Sequence, residues 1–209
     1  PLNYISSLLD YMNENSDVDN VGYAVNTVPS NNTLVAHSIA HVLSHKYGVG
    51  SALFRLSIES PRVVDTVPFG CFRREIFEKL GKFDVDLIRN QDDEFNGRII
   101  NAGGKIILLP HMKITYFPRD SFSKLWNMYY QYGLFKPLTV AKLKKPATIR
   151  QLVPPAFVIS LFSLLLLSLA GLALAKVGLV LALALYFLLS IIATKDITER
   201  EYVKAMNVS

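Results

Sequence analysis

Ile88-Arg89-Asn90-Gln91-Asp92-Asp93-Glu94-Phe95-Asn96-Gly97-Arg98-Ile99 is the stretch from which the rest of the chain can be read. Asn90 is a residue type suited to a helix N-cap, and three consecutive acids, Asp92, Asp93 and Glu94, follow it. Phe95, Ile99 and Ala102 recur at spacings of four and three, the core-facing stripe of a helix. The acids therefore fall in the first turn, where the helix dipole and free N–H groups favour negative charge. Glu94 and Arg98 form an i,i+4 pair, which gives Glu94 a structural role. Asp92 and Asp93 have no such partner in the local sequence. A well-capped surface helix would account for all of this. The flanking sequence points instead to a site.

The chain has 209 residues, enough for one domain of ordinary size and something more. It begins at Pro1 rather than Met, which reads as a cut. Hydrophobic residues make up 51% of it and the mean hydropathy is +0.28, an excess that is concentrated at one end. Residues 152–175 carry no charge, Lys176 follows, and residues 177–194 are uncharged again. Each run is long enough to cross a hydrocarbon core of roughly 30 Å. Leu164-Leu165-Leu166-Leu167 and residues 179–189 are apolar on every face, which argues against a core helix of a soluble domain. Their position excludes a removed signal peptide. The expectation is a transmembrane helical hairpin over 152–194, turning near 171–178, with a truncated cytoplasmic tail over 195–209.

No acid occurs between Asp120 and Asp196, while Lys136, Lys142, Lys144, Lys145 and Arg150 lead up to the first run. A basic approach of this kind marks the cytoplasmic side. The net charge of +5 owes much to this collar, which reads as lipid-facing. No basic-aromatic motif for nucleic acid competes with it. The single Cys71 rules out an internal disulfide and fits a reducing compartment.

Residues 2–14 have helical apolar spacing, and 21–28 alternates as a strand. Asn31-Asn32 is expected to cap a helix over 33–46 that carries His37, His41 and His45 on one face. No acid or cysteine accompanies these histidines, so they read as a polar face rather than a metal set. Residues 47–50 form an expected flexible loop, 62–67 a strand, 68–70 a turn and 73–80 a helix capped by Gly81. The acidic helix ends at Gly103-Gly104, and 105–110 and 112–117 read as two short strands. Strands interleaved with helices give an α/β sheet domain over 1–120. Phe122, Leu125, Trp126, Tyr129, Tyr130 and Phe135, with Lys124 and Lys136, then suggest a helix lying in a membrane interface, so 121–151 reads as an interfacial helix and basic collar.

Three runs carry a resemblance. They are Val64-Asp65-Thr66-Val67-Pro68-Phe69-Gly70-Cys71-Phe72-Arg73-Arg74, then Asn90-Gln91-Asp92-Asp93-Glu94-Phe95-Asn96, then Tyr116-Phe117-Pro118-Arg119. In this order they resemble membrane-bound family-2 glycosyltransferases, in particular the bacterial exopolysaccharide branch with the succinoglycan-type glucosyltransferases. The resemblance implies an α/β domain of the GT-A type, of which this chain holds the acceptor-side part, followed by membrane helices. The family's base is the Asp of a Glu-Asp pair opening a helix. Here the pair is Gln91-Asp92, so the role carries over to Asp92, with Asp93 as runner-up. The resemblance further implies Asp93, Glu94, Asp65, Arg119 and Trp126 as supporting or acceptor-side residues. By spacing, the counterpart of the family's Gln-x-x-Arg-Trp element is Met128-Tyr129-Tyr130-Gln131-Tyr132, which departs from that pattern. Arg73, Arg74 and Arg119 read equally as phosphate or acceptor contacts and as surface charges.

The family binds its nucleotide through an earlier βαβ half and a metal-binding Asp-x-Asp. Asp17-Val18-Asp19 and Asp84-Val85-Asp86 have that spacing without that context. The chain is thus expected to lack the donor half and to bind no metal itself. The complete enzyme would take a UDP-linked sugar donor, a divalent cation (Mg or Mn) and a lipid-linked or polysaccharide acceptor at the cytoplasmic face of the inner membrane. Chemically, an inverting transfer needs one carboxylate to take the acceptor's proton, and a cation to neutralise the departing diphosphate. The alternative is a non-catalytic membrane-anchored binding or scaffold module of the same fold. A small transport subunit conflicts with the charged, strand-containing first 120 residues.

Overall fold

In the computed structural model, residues 2–144 and 149–206 are described, with side chains for all of these except 111, 113, 149, 150 and 196–206. The first unit, Pro1–Thr148, opens with helix α1 (Tyr4–Glu14) and strand β1 (Asn20–Thr27). Helix α2 (Leu34–Leu43) starts behind Thr33, whose hydroxyl accepts from the Ala36 amide. Asn31 supports that cap by accepting from the Thr33 hydroxyl, so the cap lies one residue beyond the expected Asn31-Asn32. The expected loop at Tyr47 is a short helix, α3 (Lys46–Val49), capped by the His45 ring. A 3-10 turn (Leu53–Arg55), two-residue strands β2 (Arg62–Val63) and β3 (Cys71–Phe72), and helix α4 (Arg74–Leu80) follow. Helix α5 (Gln91–Asn101), strand β4 (Ile106–Tyr116) and helix α6 (Phe122–Leu143) complete the unit.

The sheet order is β2-β4-β1-β3, with β1 and β4 parallel and the short outer strands antiparallel to them. Strand alternation divides the core between its two faces. Val21, Tyr23, Ile107 and Leu109 meet Leu8 and Met12 of α1. Ala24, Ile106 and Leu108 meet Ile76 of α4 and Phe95 and Ile99 of α5. Helices therefore cover both faces, and the mixed α/β expectation holds. Four rings, Phe72, Phe77, Phe83 and Phe95, cluster beside α5, with Phe77 and Phe95 stacked at 4.9 Å.

Two corrections concern strands and one the helix stripe. The expected pair at 105–110 and 112–117 is the single strand β4. Tyr23 pairs with Leu109 and Val25 with Ile114, so an irregularity in β4 absorbs Pro110, which has no N–H to give, and pairing resumes. The strand expected over 62–67 is confined to Arg62–Val63. Ala102 caps α5 in an exposed position rather than completing its buried stripe. The turn after it depends on Gly103, at φ +81, which lets the Gly104 amide reach the Ile99 carbonyl at 2.8 Å.

The second unit, Ile149–Ser209, is a helical hairpin of α7 (Val153–Leu169) and α8 (Ala173–Met206). It turns at Gly171, at φ +93, and Phe157 stacks on Tyr186 at 5.7 Å, so the helices run antiparallel. Among the described residues one helix is long and apolar enough to cross a membrane, over Ala173–Lys195, with a mean hydropathy of 2.5. With 17 residues, α7 is shorter than the roughly 20 that a crossing takes. The two crossings expected from composition are thus one of sufficient length and one shorter helix. Lys145 and residues 207–209 of the tail lie outside the described residues, as do the Arg150 side chain and those of 196–206.

Candidate functional site

The start of α5 is built by its neighbours rather than by its own cap. Asn90 adopts a left-handed backbone (φ 64, ψ 23), and its side chain makes no cap bond. An N-cap needs extended backbone to turn its side chain onto the first amides. Asn90 Nδ2 instead donates to the Tyr132 carbonyl on α6 at 3.3 Å.

The structure sorts the three acids. Glu94 is buried, and Arg98 grips both its oxygens, Nε at 2.8 Å and Nη2 at 2.9 Å. Arg98 also donates to the Leu80 and Lys82 carbonyls and lies over the Phe95 ring at 4.7 Å. Glu94 is therefore structural, as its i,i+4 spacing indicates. Asp93 pairs with Lys136 of α6, 43 residues away. Asp92 opens into a cleft of about 380 Å³ lined also by Phe83, Ile88, Arg89, Asn90, Gln91 and Tyr132. Its side chain reaches solvent there, yet protein crowds it on its other sides. That desolvation pushes its pKa above the usual carboxylate range, and the charge of Asp93 adds to the rise. The backbone amides and Lys136 oppose it without cancelling it. A solvent-reachable carboxylate with a raised pKa is suited to taking a proton from a hydroxyl.

Two further groups shape this cleft. Arg89 is half-buried and held through Nε by Gln131 Oε1 at 2.8 Å, which leaves its remaining donors to the cleft. Behind the acids, Asn96 Oδ1 accepts from Asn20 Nδ2 at 2.9 Å and Asn96 Nδ2 donates to the Thr66 hydroxyl at 2.9 Å. This anchors α5 to β1 and to the segment before β3. Gln131 and Tyr132 belong to the segment singled out by spacing; Tyr132 lines the Asp92 cleft, and Gln131 bears on it only through its bond to Arg89. Arg89, Lys136 and Asn96 had no local signal for a role, since each works with a partner distant in sequence.

The other candidate residues lie elsewhere in the first unit. Asp65 is half-buried on the segment between β2 and β3, and Arg119 is exposed before α6. Trp126 is 74% exposed, on the side of α6 away from the core. None of the three lines the Asp92 cleft. Arg73 is corrected to a structural residue, because Nε and Nη2 are spent on the carbonyls of Val18, Met12 and Asn15. Arg74 makes an exposed pair with Glu78 at 3.4 Å. Asp17 pairs with Lys105 at 2.7 Å, and Asp84 and Asp86 with Lys142 at 2.6 and 3.2 Å. Those lysine bonds hold Asp17 and Asp84 below the usual carboxylate range. Among the described residues, no three His, Cys, Asp or Glu side chains come together as a metal set. The residues present thus do not by themselves fit a divalent cation.

Comparison with known proteins agrees with the resemblance. The chain is 28% identical over 106 residues, 51% of its length, to the succinoglycan biosynthesis protein ExoA of Rhizobium meliloti (strain 1021), covering 32% of that protein. It is 34% identical over 79 residues, 37% of its length, to the dolichyl N-acetyl-alpha-D-glucosaminyl phosphate 3-beta-D-2,3-diacetamido-2,3-dideoxy-beta-D-glucuronosyltransferase of Methanococcus voltae, covering 25% of that protein. The matched stretches thus span about a third and a quarter of these curated relatives. The chain is similar to glycosyltransferases of the family-2 type that act in exopolysaccharide and lipid-linked sugar synthesis. No family model matches it, and no solved structure does.

Proposed function

We propose that the chain is the acceptor-side part of an inverting glycosyltransferase with a GT-A type domain, and that Asp92 is its general base. The observation that carries this is the separation of the three acids. Glu94 is consumed by Arg98 and Asp93 by Lys136, while Asp92 faces a cleft with its pKa raised. In the reaction, an acceptor hydroxyl in the cleft gives its proton to the Asp92 carboxylate as its oxygen attacks the anomeric carbon of the donor. The bond from that carbon to the nucleoside diphosphate breaks, and the electron pair leaves with the phosphate oxygen. The Tyr132 and Phe83 rings offer faces for a sugar, and Asn90, Gln91 and Arg89 offer hydrogen bonds to its hydroxyls.

The donor on this reading is a UDP-linked sugar and the acceptor a saccharide on a lipid carrier. The name of the Methanococcus relative, with its dolichyl phosphate sugar, supports that acceptor class. In the complete enzyme a divalent cation would neutralise charge on the departing diphosphate, as the resemblance implies, and none of the described residues is assigned to hold it. The exposed ring face of α6 rests in the membrane interface. The helices α7 and α8 insert as a hairpin, with the catalytic domain on the cytoplasmic face of the inner membrane, although Lys136 and Lys142 of the expected lipid-facing collar are spent on Asp93, Asp84 and Asp86.

A transfer assay on membranes carrying the complete enzyme, of which this chain is on this reading the acceptor-side part, tests the base. Asp92→Asn is expected to lower transfer by roughly 10²–10⁴ while leaving folding intact. Near-normal transfer by this variant would remove the catalytic reading and leave a membrane-anchored binding module.

A further inference from the structure

The carboxyl ends of β1 and β4 hold two polar groups that the fold does not satisfy. Arg55 Nη1 and Thr27 Oγ1 are buried, and neither has a hydrogen-bond partner among the described residues. They stand at one place. Thr27 is the register partner of Tyr116 at the end of the parallel pair, and the Arg55 guanidinium lies over the Tyr116 ring at 4.7 Å. The 3-10 turn that carries Arg55 packs against β1. A second ring, Phe54, flanks the same guanidinium at 5.3 Å. Arg55 is thus positioned by aromatic faces, which hold a cation while leaving its donors free. Buried donors, above all charged ones, are rarely left without a partner, so such an exception calls for an explanation.

We propose that these groups form an oxyanion site of the phosphate class, with Arg55 as its cation and Thr27 as a hydroxyl ligand. Three features favour that ligand. Ligands of open α/β sheets bind outside the carboxyl ends of the strands, where Thr27 and Tyr116 lie. A planar guanidinium fork matches the geometry of phosphate oxygens. Tyr129 of α6 stands close enough to feel the charge of Arg55, and its ring meets that of Tyr132 at 6.2 Å. Tyr132 in turn lines the Asp92 cleft, so a row of tyrosines leads from the oxyanion site to the candidate base. The choice of phosphate over other oxyanions rests on the transfer reading, whose substrates carry phosphate on both the donor and the acceptor side.

The test is calorimetric titration of the detergent-solubilised chain with inorganic diphosphate, UDP and geranyl diphosphate, in parallel on wild type, Arg55→Leu and Thr27→Val. Wild type is expected to bind at least one of them, and Arg55→Leu to weaken that binding by about 10- to 100-fold. Thr27→Val should weaken it by a smaller factor. Thr27→Val should not lower the melting temperature of the ligand-free protein, because its hydroxyl has no partner, and Arg55→Leu should lower it by no more than the loss of its two ring contacts costs. Tightest binding of UDP would assign the site to the donor, and of geranyl diphosphate to the lipid carrier of the acceptor. No binding of any of the three, or equal binding by both variants, would overturn the proposal. So would a lowered melting temperature in both variants, since the two groups would then be satisfied within the fold. The readout needs no transfer, so failure of Asp92 as base and failure of this site are seen separately.

Discussion

Asn20 on β1 and Asn96 on α5 are both fully buried, 76 residues apart in sequence, and joined by a 2.9 Å bond from Nδ2 to Oδ1. Gly70 closes over the pair: a Cβ there would stand 2.3 Å from Asn20 Oδ1. The Asn20 amide cannot rotate away without breaking its bond to Asn96. Gly70→Ala is therefore expected to destabilise the protein by about 1–3 kcal/mol, as is Asn96→Ala, which leaves the Asn20 amide unpaired. Urea unfolding in detergent, followed by circular dichroism, measures both.

Asp93 and Asp92 are adjacent, and their substitutions should differ. Asp93→Asn breaks the pair with Lys136 and removes a charge that helps raise the Asp92 pKa. Its cost in transfer is expected to be about 10-fold or less, against roughly 10²–10⁴ for Asp92→Asn. Assaying both variants with their stabilities checks this. A dead Asp93 variant beside an active Asp92 variant would move the base by one residue.

The raised pKa of Asp92 has two consequences in pH. As a base it must be ionised, so the acidic limb of the rate profile should lie above the usual carboxylate value of about 3.9. Stability runs the other way. The folded state holds the Asp92 proton more tightly than the unfolded state, so this contribution is full below the unfolded pKa and is lost as pH rises through the folded one. Asp92→Asn should thus be more stable than wild type at pH 7, with the difference closing towards pH 4. Melting curves at several pH values read it out.

Glu94 has 5% of its side chain exposed and depends on Arg98, which is 24% exposed. Arg98→Met leaves that carboxylate buried and unpaired, and a loss of about 3 kcal/mol is expected. Adding Glu94→Gln to the same chain should recover part of it. A double-mutant cycle by urea unfolding gives the coupling.

Trp126 is the one tryptophan of the sequence, and it is 74% exposed beside Phe122 and Tyr130 on α6. If that face rests in lipid, its emission should shift to the blue when the purified protein moves from detergent into anionic vesicles. Phe122→Ser with Tyr130→Ser should reduce the shift. An unchanged spectrum would place this face in water.

What the sequence determined by itself was local. The apolar stripe of Phe95 and Ile99, the Glu94–Arg98 pair and the Gly103 turn all depend on residues within about one turn of one another, and helical periodicity expresses such relations directly. The uncharged runs after residue 151 are equally legible, because composition alone decides whether a helix tolerates lipid. Only the tertiary structure decided which acid of Asp92, Asp93 and Glu94 remains available. Lys136 reaches Asp93 across 43 residues, and no local pattern encodes that. The backbone of Asn90 is likewise coupled to the Tyr132 carbonyl, which is why a residue suited to capping does not cap. The exposed Trp126 agrees with the interfacial face read from sequence, and only packing shows that Met128 and Leu143 of the same helix lie inside. Periodicity tells which residues share a face. Which face meets the core, and which charge meets which, depends on distances between segments that come together only when the chain folds.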